Sequence, residues 1–164
     1  MIADIQLPKR LTITLDELRM LQGKLVGSSD WITIDQSMID HFAQLTGDDA
    51  FIHTNPTQAA ATRFRGTIAH GLLTLSLLPL MMRTAMPVVL DKRMGVNYGY
   101  DRVRFTTPVP VNQRIRGKFS FTGMTERSTG FLLLSYEVKV EIEGCEVPAL
   151  VAEWLLGVWS AGKP

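Results

Sequence analysis

The run from Gly71 to Met82, GLLTLSLLPLMM, constrains the fold more than any other stretch. It is apolar almost all round, so the helix it predicts should be enclosed on every side. Pro79 has no N–H and should bend that helix. Pro87 marks its end. The wider apolar segment, Ile68 to Leu90, is interrupted by His70, Arg83 and two prolines, so it reads as a core helix and not a membrane span. Whatever else the chain builds must cover this element. With 164 residues, 46% of them apolar and 20% charged, it can bury a core of ordinary size, and it is expected to form a single domain over 1–164.

The cover comes from the second half, where the period changes. Val103 and Phe105 alternate with Arg102 and Arg104. Ile115, Gly117 and Phe119 alternate with Arg114, Arg116 and Lys118. Tyr136, Val138, Val140 and Ile142 alternate with Glu137, Lys139, Glu141 and Glu143. Each run predicts a strand with one dry and one wet face, hence an antiparallel sheet. Gly123 and Gly144 are expected at the hairpin reversals, and Val147 to Trp159 as the last strand. One buried helix before four long strands implies an α+β fold in which a curved sheet wraps the helix.

The first half is read more locally. Residues 1–14 predict an arm or an edge element. Thr14 and Glu17 have the spacing of a capping box. Trp31 to Ile34 is a short strand by residue type. Asp35 can cap a helix whose apolar face is Met38, Ile39, Phe42 and Leu45, and Gly47 is placed to end it. Asp48 to Thr54 is then a loop leaving a helix C-terminus. Asn55 and Pro56 start the next helix, as cap and first residue. This loop carries Asp48 and His53, and it precedes Ala69-His70-Gly71 at the head of the apolar run. Nowhere else are acid–base candidates so close to a segment that must be buried.

These pieces resemble a known family. Phe42 to Asp48 (FAQLTGD), Ile52-His53, Thr67 to Pro79 (TIAHGLLTLSLLP), Val96 to Gly99 (VNYG), Val103 to Phe105 and Pro108 to Pro110 are similar to the MaoC-like (R)-specific enoyl-CoA hydratases, and most to their NodN-like branch. The resemblance implies the hotdog fold, a curved antiparallel sheet around a central helix. It implies syn addition of water to a trans-2-enoyl-CoA thioester, or the reverse dehydration. The family's catalytic pair falls on Asp48 and His53, and its oxyanion contact, a backbone N–H, falls on Gly71. Ala50-Phe51 stands where many members have Asn-Pro and NodN-like members have Gln-Trp, so Phe51 is a substrate-pocket candidate. A serine that supports the aspartate in some members matches Ser76, with Thr74 as the other candidate. Asn97 and Tyr98 are further substrate-binding candidates.

The residues suit that chemistry. Water must lose a proton as it attacks, and a proton must reach the α-carbon; an imidazole and a carboxylate on one loop can do both on one face. Either could be the base, and the pair can titrate as a unit. A helix-start N–H can accept developing negative charge on the thioester oxygen. His70 is read as shaping the turn. Three histidines without a cysteine cluster give no zinc spacing, so no metal is expected, and no cofactor beyond the coenzyme A of the substrate. Two other functions remain open: a hotdog acyl-CoA thioesterase, and a non-catalytic acyl-thioester binding module.

Partners follow from charge and topology. A net charge of +1 gives no pull toward nucleic acid or a membrane surface. Arg102, Arg104, Arg114, Arg116 and Lys118 are read as wet strand faces, with coenzyme A phosphates as the alternative. Cys145 alone forms no internal disulfide and has no base partner, which fits a cytoplasmic protein. An open sheet edge predicts a homodimer or higher homo-oligomer.

Overall fold

The computed structural model describes residues 11–161. The expected arm falls mostly on residues 1–10, outside the described residues, as do 162–164. What is described of it is β1 (Thr12–Ile13), which pairs in parallel with β4 (Val88–Val89). Helix α1 (Leu15–Arg19) follows with the expected capping box: Thr14 accepts from the Glu17 N–H, and the Glu17 carboxylate accepts from the Thr14 N–H.

Strands β2 (Lys24–Ser28) and β3 (Ile32–Ile34) both pair with β6 (Gln113–Ser128). Helix α2 (Gln36–Thr46) is capped by Asp35, which accepts from the Met38 N–H at 2.8 Å, and it closes on Gly47 at φ 76°. A left-handed φ is cheap only without a Cβ, so glycine belongs here. Its buried face is Ile39 and Ala43, with Met38 and Phe42 beside them. Leu45, expected on that face, is 84% exposed. It lies six residues past Ile39, about 240° around the helix, and so misses the core.

Two short helices, α3 (Phe51–Thr54) and α4 (Pro56–Ala60), lead to the central element. Asn55 caps α4 by accepting from the Gln58 N–H. The apolar run forms two helices, α5 (Gly71–Ser76) and α6 (Leu78–Ala85), divided at Leu77. Pro79 explains the division, since it cannot donate to the preceding turn. Met86 is extended, as the residue before Pro87 should be. The run is not enclosed on every side. Leu73, Leu78 and Met81 are buried, whereas Leu72, Ser76, Pro79 and Leu80 are exposed.

The sheet has the order β2-β6-β7-β8-β5, with β5 (Lys92–Phe105), β7 (Phe131–Ile142) and β8 (Leu150–Ser160) all antiparallel to their neighbours. Its inner face supplies Ile115, Phe119, Val138, Val140, Leu150 and Trp154 to one core with Leu73, Leu78 and Met81. Each such side chain contributes about 1.5–3 kcal/mol by leaving water. This is the α+β hotdog arrangement. Gly144 sits in the β7–β8 turn, but Gly123 is not at a reversal. It lies inside β6 at a register shift, and the β6–β7 turn is Thr129-Gly130. No described helix is long and apolar enough to cross a membrane.

Candidate active site

The segment Thr67–Ala69 is stitched in place from two sides. Ile68 N–H donates to Ile52 of α3, Ala69 N–H donates to Val109, and Val111 N–H donates to Thr67. The α3 loop and the head of α5 are therefore held against each other. His53, on α3, is buried and donates from Nδ1 to the Ile68 carbonyl at 2.7 Å. A carbonyl can only accept, so Nδ1 carries a proton, and in the neutral ring Nε2 keeps a bare lone pair.

His70 immediately precedes α5 and is also buried. It donates from Nε2 to the Asp48 backbone carbonyl at 2.8 Å. Its Nδ1 is buried and has no hydrogen-bond partner among the described residues. The two imidazoles stack, with centroids 3.8 Å apart and planes inclined by 25°. Asp48 is exposed at the loop surface, and one carboxylate oxygen lies within 4.8 Å of a ring nitrogen on each histidine. Asp48 and His53 are thus brought together with a third group, His70, whose place in the sequence marks it only as a turn residue. Each imidazole gives one nitrogen to a backbone carbonyl, which fixes its ring and leaves the other nitrogen as the acceptor or ligand atom.

A cavity of about 210 Å³ opens beside this cluster. His53, Gly71, Thr74, Phe105, Thr107 and Val109 are among the residues that line it. Gly71 is the first residue of α5, whose opening N–H groups have no intrahelical partner and no side-chain cap. A Cβ on Gly71 would stand 2.8 Å from Cγ of Phe105, so the ring lies directly on this glycine.

The four substrate-binding candidates lie elsewhere. Phe51 is 47% exposed on α3, and Ser76 is exposed and donates to the Leu72 carbonyl. Thr74, the other candidate, faces the cavity. Ser76 is five residues from Gly71, about 140° around the helix, whereas Thr74 is within about 60°. Asn97 accepts from Trp154 Nε1 at 3.0 Å and lines a different cavity, and Tyr98 is exposed beside Phe131. Arg102, Arg114, Arg116 and Lys118 pair with Glu153, Glu143, Glu141 and Glu141, as wet strand faces should.

One contributor had no sequence signal. The Gln36 amide donates to the His53 carbonyl at 2.8 Å and accepts from Thr67 Oγ1, tying α2 to both sides of the site.

The MaoC like domain profile matches residues 19–141. The chain belongs to the MaoC-like family. Among its relatives is Nodulation protein N of Rhizobium meliloti, 46% identical over 87% of this chain and 89% of that protein. Another is 3-hydroxyacyl-thioester dehydratase Z of Mycobacterium tuberculosis, 42% identical over 84% of this chain and 90% of that one. The (R)-hydratase from A. caviae involved in PHA biosynthesis superposes with a TM-score of 0.66 at 20% identity, covering 81% of this chain and 95% of that one. In this MaoC-like chain, Asp48, His53 and Gly71 all fall within the matched residues.

Proposed function

We propose that this chain is an (R)-specific enoyl-CoA hydratase, or equally the dehydratase of the (R)-3-hydroxyacyl thioester. The observation that carries the reading is one cavity lined by both His53 and Gly71, with an Asp48 carboxylate oxygen within 4.8 Å of a His53 ring nitrogen. Nε2 of His53 is the bare nitrogen, which supports His53 as the group that takes the proton from water. The water oxygen then bonds to the β-carbon as the double bond shifts electrons toward the thioester oxygen. In this reading the Gly71 N–H, at the head of the helix lining the same cavity, donates to that oxygen. A proton returns to the α-carbon from the Asp48–His53 pair, and exchange within the pair restores both groups. Because both groups lie on one side, addition is syn. The activity named for the Mycobacterium tuberculosis relative is the same reaction run backwards.

The test is hydration of crotonyl-CoA followed by loss of enoyl absorbance, with chiral analysis of the product. Asp48→Asn and His53→Ala should each lower the rate by about 100- to 10,000-fold. Near-native rates in either variant would remove the proposed pair. Release of free thiol from acyl-CoA would assign a thioesterase instead, and tight acyl-CoA binding without turnover would assign a binding module. We also assign this chain a homodimeric state, supported by the open edge of β5 and the exposed stripe on α5 and α6.

A further inference from the structure

A second cavity lies toward the other end of the α5–α6 pair. It measures about 460 Å³, within the roughly 300–1,000 Å³ range of small-molecule sites. Met82, Met86, Leu134, Leu156 and Val158 contribute its apolar wall, and it shares no lining residue with the His53 cavity. On β5 the two are marked by Asn97 and Phe105, about 25 Å apart along an extended strand.

Polar groups enter this apolar space at two levels. Tyr136 lines it, is only 3% exposed, and its hydroxyl makes no hydrogen bond with any described residue. The hydroxyl is not sealed off, since His70 Nδ1 is the one sealed unpartnered side-chain atom among the described residues, so it is a donor open to whatever fills the cavity. Burial pushes the phenol up, which keeps it a donor. Asn97 spends its oxygen on Trp154, so its NH₂ is a second donor nearby. Arg83 and Lys92 also line the cavity, are exposed to solvent, and form no ion pair with any described residue. In the sheet Lys92 pairs with Ser160 and Tyr136 with Trp154, six residues apart on β8, or about 20 Å. An extended medium-length chain and the lysine side chain together span that distance.

We infer that this cavity binds a medium-chain monocarboxylate bearing a hydroxyl or carbonyl at its far end. The carboxylate meets Arg83 and Lys92, the chain lies along the methionines and leucines, and the distal oxygen accepts from Tyr136. The inference is independent of the hydratase reading, because the two sites have no residue in common.

The experiment is calorimetric titration of the intact protein with ω-hydroxydodecanoate and with dodecanoate, below their micelle concentrations. Saturable binding of both is expected, with the hydroxylated probe about three- to tenfold tighter, the value of one hydrogen bond. Tyr136→Phe keeps the ring in the core and should erase that preference. Arg83→Gln with Lys92→Gln should weaken both probes, and added salt should weaken them in the unsubstituted protein. Neither probe should compete with crotonyl-CoA. Unsaturable uptake, or a preference that survives Tyr136→Phe, would overturn the assignment. Competition with crotonyl-CoA would do so too, by placing the amphiphile at His53.

Discussion

His53 and His70 stack face to face at 3.8 Å, and each is fixed by a backbone carbonyl from a different part of the chain. His53 is oriented by Ile68, two residues before His70. His70 in turn holds the carbonyl of Asp48, five residues before His53. The proposed acid–base pair is therefore held by a ring that need not touch substrate, and in that proposal His70 is a positioning residue.

His70→Asn should shorten the reach to Asp48 and leave His53 without its stacking partner. A misplacement of about 1 Å can cost on the order of 100-fold in rate. The expected result is a fall of about that size in kcat, with KM for crotonyl-CoA changed little. A role confined to holding the fold would lower the melting temperature and leave kcat of the folded protein intact.

The contact between Gly71 and Phe105 is steric. Gly71→Ala would drive a methyl into a ring whose nearest atom is 2.8 Å away. Overpacking of this kind costs about 1–3 kcal/mol. Phe105→Ala in the same chain makes room, so the double variant should recover part of the lost stability. Denaturation of the four proteins measures this coupling. Strictly additive losses would mean that the ring does not press on this glycine.

Local features were legible in the sequence because they depend on a few neighbouring residues. The caps at Thr14, Asp35 and Asn55 and the left-handed Gly47 fall in this group. The closeness of Asp48, His53 and Gly71 has the same origin, since they lie on one loop and one helix start. Gly123 misled because a glycine between alternating residues marks a bulge as readily as a turn. Ser76 misled because a side chain's face depends on where the helix docks. The role of His70 needed a contact across 22 residues, and that of Gln36 one across 31. Neither leaves a local pattern.

Charge pairs on the outer sheet make stability depend on pH. Burial alone would raise the Glu141 pKa, but hydrogen bonds and charge from Lys118 and Arg116 hold it below the ordinary carboxylate value. A folded-state pKa below the unfolded one stabilises at higher pH. That stabilisation is full above the unfolded value and is lost as pH falls through the folded one. The groups are partly solvated, so no more than about 1 kcal/mol is at stake. Glu141→Gln should melt about 2–4 °C lower near neutral pH. The two melting curves should converge in strong acid. A constant gap across the pH range would show that Glu141 acts through packing.

The edge of the sheet makes the last prediction. Among the described strands β5 pairs only with β8, and Met94, Val96 and Tyr98 on it are 52%, 44% and 60% exposed. On the helices, Leu72 and Leu80 are 57% and 38% exposed, and with Ser76 they recur every four residues along one face. Scattered apolar side chains on a surface need no cause, but an apolar stripe together with an open strand edge is a surface that a second copy can cover. A two-fold axis pairing β5 with its copy covers both edges at once. The protein should sediment as a dimer at micromolar concentration. Leu72→Glu combined with Val96→Lys should shift it to monomer, because a like pair of charges would then be buried at each contact. Sedimentation of the unsubstituted chain as a monomer would rule this assembly out.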